Sequence, residues 1–196
     1  AAAMRSPVGV GNAMFRLGDF EGWVDTLAFG THHKWILDKI GDFDEELVRN
    51  QDDDFNARII EGGGKIWMSK TIRSIYYTRS SLKNLWRQYY QYGFWRIRTI
   101  QKHKKPASLR QLLPLLLVSS FIVLGGLSFI HVWIYYLFIL EVGGYAFGLI
   151  LGACDVARKT GVQYAPLVPF IFLILHFGYG LGMIWGIVTF IIFKGK

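Results

Sequence analysis

The amino-acid sequence predicts an α/β soluble part followed by an α-helical membrane anchor of about three transmembrane helices. The first observation is the distribution of charge, because residues up to Arg110 mix acids, bases and aromatics as a soluble domain does. The second is hydropathy, because the sequence from Leu112 onward is almost entirely apolar. The formal charges in that second part are Glu141, Asp155, Arg158, Lys159, Lys194 and Lys196.

In the soluble part, residues 51–61 predict a short helix. Three aspartates stand in its first turn, where the helix dipole favours carboxylates, and Phe55 and Ile59 share one face. The glycines at 62–64 end the helix. The two segments that follow, 65–69 and 72–77, are rich in Ile, Tyr and Trp and predict strands or extended chain.

Residues 80–101 predict an amphipathic helix at the membrane interface. Leu82, Leu85 and Tyr89 recur near helical spacing among cations and many aromatic residues. Aromatic rings suit the headgroup zone, since the ring body is buried and its polar edge stays wet. The basic residues from Lys102 to Arg110 fit either anionic headgroups or a topology signal. Residues 82–110 therefore form an interfacial and juxtamembrane segment.

Three apolar stretches follow, at about 112–130, 132–153 and 166–193. Each reaches the roughly 20 residues that cross a hydrocarbon core of about 30 Å. The first two are close enough in sequence to form a hairpin, and a re-entrant pair is the alternative. Because the basic residues before the first stretch and between the second and third fall on one side, that side is expected to be cytosolic.

Small and ionisable residues in the apolar stretches predict contacts between the helices. Glycines recur every four residues in the second and third stretches, and such runs let two helices approach closely. We therefore expect the two runs to pack on each other. Glu141 and His176 reach similar depths and are expected to pair, because a lone charge there is costly, and a role beside a lipid substrate is the alternative. The runs are Gly144, Gly148 and Gly152, and Gly178, Gly182 and Gly186.

Composition excludes several classes of protein. Cys154 is the single cysteine, so an intrachain disulfide and a cysteine-based metal site are excluded. The net charge of +8 permits nucleic-acid binding, but the basic residues adjoin apolar stretches, so membrane lipids are the expected partner and nucleic acid is not. The first residues, Ala1 to Met4, lack the pattern of a signal peptide, so we expect the chain to open within a larger protein.

The acidic run Asp52, Asp53 and Asp54 at the predicted helix start is the clearest chemical feature of the sequence. Adjacent carboxylates repel one another, which raises the proton affinity of at least one of them and suits a group that must accept a proton. Acids also cap helix starts without any catalytic role, and the run alone leaves both interpretations open.

The surrounding order of motifs resembles family 2 glycosyltransferases. In that family a Gly-Gly-Phe-Asp-Glu-like turn precedes a Glu-Asp-x-Asp-Leu-x-x-Arg-like helix start, and here residues 41–45 precede residues 51–58. The resemblance implies that Asp52 is the general base, with Gln51 replacing the family's glutamate. Gln51, Asp53 and Asp54 are then expected to contact substrate.

Further motifs extend the resemblance along the chain. Gly11 to Arg16, and His176 to Gly182, are similar to runs in the branch that builds bacterial exopolysaccharides such as succinoglycan. The family's Gln-x-x-Arg-Trp motif corresponds to residues 88–92, where Gln91 and Tyr92 replace arginine and tryptophan. With that motif we expect Arg87, Gln88, Gln91 and Tyr92 to face the donor diphosphate or the acceptor sugar.

The resemblance implies the acceptor half of a GT-A catalytic domain over residues 1–81, attached to a multi-pass anchor over 111–196 in the bacterial inner membrane. It also implies inverting transfer from a nucleotide-sugar donor to a lipid-linked or glycan acceptor. The nucleotide-binding half, with its Asp-x-Asp site for Mg²⁺ or Mn²⁺, is missing, so this chain alone should not turn over. Asp42-x-Asp44 belongs to the turn before the base helix, and no metal ligand is assigned here.

Two rival functions remain at this stage. A non-catalytic membrane assembly or transport subunit is one alternative, built around Glu141 and His176. A nucleic-acid binder, suggested by the aromatic and basic residues from Trp86 to Arg98, is disfavoured by the adjoining apolar stretches.

Overall fold

The computed structural model of the chain describes residues 2–9, 20–72, 77, 79–106 and 108–193. The run Gly11 to Arg16, most of the predicted extended segment 72–77, and Lys194 and Lys196 lie outside the described residues. The elements in chain order are α1 (Ala2–Arg5), β1 (Gly22–Val24), α2 (Lys34–Ile40), α3 (Gln51–Glu61), β2 (Ile66–Met68), α4 (Leu82–His103), α5 (Leu113–Leu127), α6 (Val132–Thr160) and α7 (Val168–Ile187). A 3₁₀ turn, Leu109–Leu112, leads into α5, and a π-helical turn, Val188–Ile192, continues α7.

Helix α3 confirms the helix predicted at 51–61, at both ends. Its first turn closes when the amide of Asp54 donates to the carbonyl of Asn50 at 3.0 Å. At the other end the amide of Gly62 donates to the carbonyl of Arg58 at 2.9 Å. Gly63 then adopts φ 81°, a left-handed conformation that glycine reaches without strain.

A small apolar cluster holds α3 against a two-stranded sheet. β1 pairs antiparallel with β2, with Trp23 opposite Trp67. Phe55 and Ile59 of α3 are buried together with Ile66 of β2. β2 confirms the strand predicted at 65–69, but the described part of the chain has only these two strands of three residues each and is mostly helical. The predicted α/β character is therefore met in part, and the GT-A-like half remains a prediction.

Helix α4 confirms the helix predicted at 80–101. It begins after Ser81, whose hydroxyl accepts from the amide of Asn84 at 3.2 Å, and it ends at Lys104, which has a left-handed conformation. Its buried apolar face includes Leu85, Tyr89 and Ile97. This face packs on α7. The amphipathic pattern of α4 therefore reflects burial against another helix, in addition to any contact with lipid.

Three helices in the described residues are long and apolar enough to cross a membrane: Leu109–Leu127, Val132–Thr160 and Val168–Ile192. The predicted number is confirmed by length and composition. The second helix runs beyond the predicted end at 153, because α6 continues through its basic last turn to Thr160. Its N-terminus is capped by His131, whose ring accepts from the amide of Trp133 at 3.3 Å.

The prediction that the two glycine runs pack on each other is wrong. A Cβ added at Gly182 of α7 would lie 2.1 Å from the carbonyl oxygen of Tyr90 in α4, and one at Gly186 would lie 2.7 Å from that of Phe94. On α6, a Cβ at Gly144 or at Gly148 would have no neighbour within 4 Å in the described part of the chain. The run of α7 therefore admits the backbone of α4, and these two α6 glycines lie open.

Helices α4 and α7 run in the same direction. The contact partner of Gly178 is Trp86, and four residues along α7 the partner of Gly182 is Tyr90, four residues along α4. Gly93 of α4 faces the carbonyl oxygen of Tyr179, which brings the two backbones together from the other side. Close approach of this kind gains dispersion contacts along both helices. Helix α4 thus lies beside the third apolar helix.

The predicted pair of Glu141 and His176 is also wrong. The hydroxyl of Ser120 in α5 donates to the carboxyl group of Glu141 in α6. His176 Nε2 donates to the carbonyl of Val8 at 2.7 Å, and its Nδ1 lies 2.9 Å from the hydroxyl of Tyr145. Tyr145, one helical turn beyond Glu141, faces His176 instead. Similar depth in the membrane places two side chains at the same level, but the rotation of each helix about its axis decides which side chains face each other.

Candidate active site

Asp52, in the first turn of α3, opens onto a cavity of about 220 Å³. Phe43 and Phe55 stack at one wall with ring centroids 4.5 Å apart, and His32 meets Phe55 edge-on at 4.7 Å. Aromatic walls of this kind suit the apolar faces of a sugar ring. The lining residues are Leu27, Phe29, Gly30, His32, Phe43, Asp52, Phe55 and Asn56.

The Asp52 carboxylate is chemically available. Among the residues that the structure describes, it takes part in no hydrogen bond or ion pair. Burial by the cavity walls raises its pKa, the charge of Asp53 raises it further, and His32 acts in the opposite direction. By solvent accessibility Asp52 is an exposed residue, so the walls surround the carboxylate without closing it off.

Asp53 is held by a polar network that spans three helices. One carboxylate oxygen accepts from the hydroxyl of Thr26 at 2.8 Å, and the other accepts from the guanidinium of Arg96 in α4. Arg96 also donates to the hydroxyl of Tyr179 in α7 at 3.1 Å. Asn56 completes the network by donating to Thr26 at 3.1 Å. The side chain of Asp53 thus anchors the first turn of α3.

Asp54 is 2% exposed, and its carboxylate faces the other side of α3. Arg58 approaches it at 3.0 Å and His103 of α4 at 2.9 Å. Arg58 also donates to the carbonyls of Ile40 and Asp42, each at 2.8 Å. Asp54 therefore ties the turn before α3, helix α3 itself and the end of α4 together.

A charged cleft of about 470 Å³ lies beside Asp54. Lys102 is ion-paired with Asp44 and, at 2.7 Å, with Glu46. The hydrogen bond from Lys102 holds the pKa of Asp44 below its usual range. Lys105 lies 3.3 Å from Glu61. Lys102 and Lys105, predicted to face lipid headgroups, thus pair with acids of the soluble part.

The predicted substrate-binding residues of α4 divide into two groups. Gln91 accepts from the guanidinium of Arg49 at 3.2 Å, and the carbonyl of Tyr92 accepts from Asn50 at 3.0 Å. Gln88, which is buried, donates to the hydroxyl of Tyr92 at 2.9 Å. Gln91 and Tyr92 are thus brought against the residues directly before α3, and Gln88 contacts Tyr92 within α4. Arg87 is exposed on α4, and Gln51 is exposed on α3.

Two residues near Asp52 were missed by the sequence interpretation. Arg96 falls on the apolar face of α4, and a cation at such a position is a signal of a buried partner. His32 gives no such signal, since its place in the cavity depends on how the loop before α2 folds over α3. No group of three or more His, Cys, Asp or Glu side chains is arranged to hold a metal ion within the described residues.

Comparison with known proteins defines the class. The chain is 28% identical over 182 residues to the succinoglycan biosynthesis protein ExoA of Rhizobium meliloti, which covers 93% of the chain and 54% of that protein. It is 31% identical over 112 residues to a dolichyl N-acetyl-alpha-D-glucosaminyl phosphate 3-beta-D-2,3-diacetamido-2,3-dideoxy-beta-D-glucuronosyltransferase of Methanococcus voltae. That match covers 55% of the chain and 34% of the relative. No protein-family model and no solved structure matches.

These similarities are to a succinoglycan biosynthesis protein and to a protein named as a glycosyltransferase, and the described part of the chain has three helices long and apolar enough to cross a membrane. More particularly, they confirm the resemblance predicted from the motifs, to family 2 glycosyltransferases of the exopolysaccharide type. The chain spans about half the length of the first of these relatives and a third of the second.

Proposed function

We propose that the chain is the acceptor half and membrane anchor of an inverting glycosyltransferase. The enzyme transfers a sugar from a nucleotide-sugar donor to a lipid-linked or polysaccharide acceptor in exopolysaccharide biosynthesis. The match to a succinoglycan biosynthesis protein over 93% of the chain supports the pathway class. The second relative, named as a glycosyltransferase, supports the reaction class.

The observation that carries this proposal is the state of Asp52. Its carboxylate faces a cavity with aromatic walls and has no hydrogen-bond partner among the described residues. A carboxylate with a raised pKa binds a proton more strongly than an ordinary one, which suits a group that must take a proton from a hydroxyl.

In the reaction, an acceptor hydroxyl in the cavity attacks the anomeric carbon from the face opposite the leaving diphosphate. As the new C–O bond forms and the bond to the phosphate oxygen breaks, Asp52 takes the hydroxyl proton. This general-base step is worth roughly 100-fold to 10,000-fold in rate. In this proposal the side-chain amide of Gln91, which donates no hydrogen bond among the described residues, flanks the leaving diphosphate together with the exposed Arg87 and Gln51.

The donor nucleotide and the Mg²⁺ or Mn²⁺ ion are proposed to bind residues that are not part of this chain. The cation offsets the charge that develops on the leaving diphosphate. The anchor holds the site at the bilayer, where a lipid-linked acceptor is already concentrated at the surface. We place the protein in the bacterial inner membrane with the Asp52 cavity on the cytosolic side.

The test is Asp52→Asn in the full-length protein, assayed for sugar transfer from labelled nucleotide sugars to membrane lipid fractions. Turnover is expected to fall by roughly 100-fold or more, because the amide cannot accept the proton. Asp38→Asn is the matched control, since Asp38 is an exposed acid of α2 outside the cavity. Wild-type turnover in Asp52→Asn membranes, with equal amounts of protein, would refute the assignment.

A further inference from the structure

Arg96 joins the soluble part of the chain to the apolar helices at a buried position. It is 7% exposed in the middle of α4, between α3 and α7. Its guanidinium binds the carboxylate of Asp53 and donates to the hydroxyl of Tyr179. Burial of a charged guanidinium costs free energy unless its partners are well placed, so the pair restricts how α3 can sit on α4.

The position of α3 on α4 also affects the cavity of Asp52. The second oxygen of Asp53 accepts from Thr26, which accepts from Asn56, and Asn56 also donates to the carbonyl of Leu27 at 2.8 Å. Leu27 and Asn56 line the cavity. Because adjacent side chains on a helix point about 100° apart, fixing Asp53 on Arg96 fixes the direction of Asp52.

The same contact sets the electrostatics of the cavity. Asp52 is faced by the charge of Asp53 from its own helix and by His32 from the loop before α2. From α4, Arg96 faces Asp53 and offsets its charge, and from α7 the uncharged hydroxyl of Tyr179 faces Arg96. Removal of the guanidinium would leave the negative charge of Asp53 acting on Asp52 at full strength.

We propose that Arg96 is a positioning residue for the transfer reaction. By binding Asp53 and Tyr179 together, it holds the general base Asp52 at a fixed position relative to the third apolar helix, α7. This inference rests on the proposed role of Asp52. It adds a residue that touches neither substrate nor base and acts through Asp53.

The experiment compares Arg96→Gln, Arg96→Lys and Asp53→Asn in the full-length protein, with kcat and KM measured across pH. In Arg96→Gln, kcat should fall by about tenfold or more, with the KM for the acceptor changed far less. The acid limb of its profile of kcat against pH should move to higher pH, because the uncompensated charge of Asp53 disfavours ionised Asp52. In Asp53→Asn the limb should move to lower pH, since that repulsion is gone.

Arg96→Lys keeps the charge, but an ammonium group cannot hold Asp53 and Tyr179 in the plane of a guanidinium. The acid limb of its pH profile should therefore stay in place while kcat falls. This variant and Asp53→Asn decide the matter if Arg96→Gln does not fold. An acid limb that stays at the wild-type pH in Asp53→Asn, or a wild-type kcat in Arg96→Lys, would overturn the proposal. Asp52→Asn separates the two hypotheses, because its retained activity would refute the base itself.

Discussion

The contact between α4 and α7 predicts opposite outcomes for the same substitution in two neighbouring helices. In Gly182→Ala, the new Cβ would stand 2.1 Å from the carbonyl oxygen of Tyr90 and 3.0 Å from the amide nitrogen of Phe94. A relaxed carbon-to-oxygen contact is about 3.3 Å, so α4 must move away by roughly 1 Å. In Gly148→Ala, the same methyl group would meet no atom of the described residues within 4 Å.

The magnitudes follow from two opposing effects. Alanine in place of a helical glycine gains up to about 1 kcal/mol of helix propensity. Overfilling a close interface costs about 1–3 kcal/mol, and here the displaced partner is backbone, which cannot change rotamer. After the full gain is counted, Gly182→Ala should therefore lose up to about 2 kcal/mol of folding free energy, whereas Gly148→Ala should be neutral or stabilising by up to about 1 kcal/mol.

Thermal unfolding of the full-length protein in one detergent, followed by tryptophan fluorescence, measures the difference. The two variants add the same group to the same residue type in apolar helices, so effects on insertion are matched. A midpoint for Gly182→Ala equal to or above that of Gly148→Ala would refute the α4–α7 contact. Equal losses in both would instead favour the glycine runs packing on each other.

Two further predictions concern the ion pairs that join α3 to α4. Asp54→Ala should lower the free energy of unfolding by roughly 3 kcal/mol, since it removes the buried carboxylate that binds both Arg58 and His103; urea unfolding of the full-length protein measures it. Hydrogen bonds from Lys102 and Arg98 hold the pKa values of Asp44 and Glu46 below their usual values of 3.8 and 4.5. The stability that these acids contribute is therefore complete above the usual values and is lost as the pH falls through the lower folded ones. In Lys102→Met this acid loss should be shallower than in the wild type, and an unchanged pH dependence of fluorescence would contradict the pairing.

Local signals in the sequence were sufficient for much of the fold. The helix at 51–61 was predicted to the residue, because acids at its start and glycines at its end act within one turn. The number of apolar helices followed from composition alone. Asp52 was placed correctly in the first turn of a helix, whereas its role as a base remains a proposal.

The partners of these residues depended on the tertiary structure. Sequence spacing shows which residues share a helix face, but it does not say which helix that face meets. The glycines of α7 therefore pack against α4, and His176 contacts the hydroxyl of Tyr145. Arg96 binds Asp53, which lies on a helix more than 40 residues earlier in the chain. Such contacts join segments that are distant in sequence, and their free energy depends on how all the helices pack at once. The sequence by itself determined the elements and the acid at the start of α3, and the tertiary structure decided what holds that acid in place.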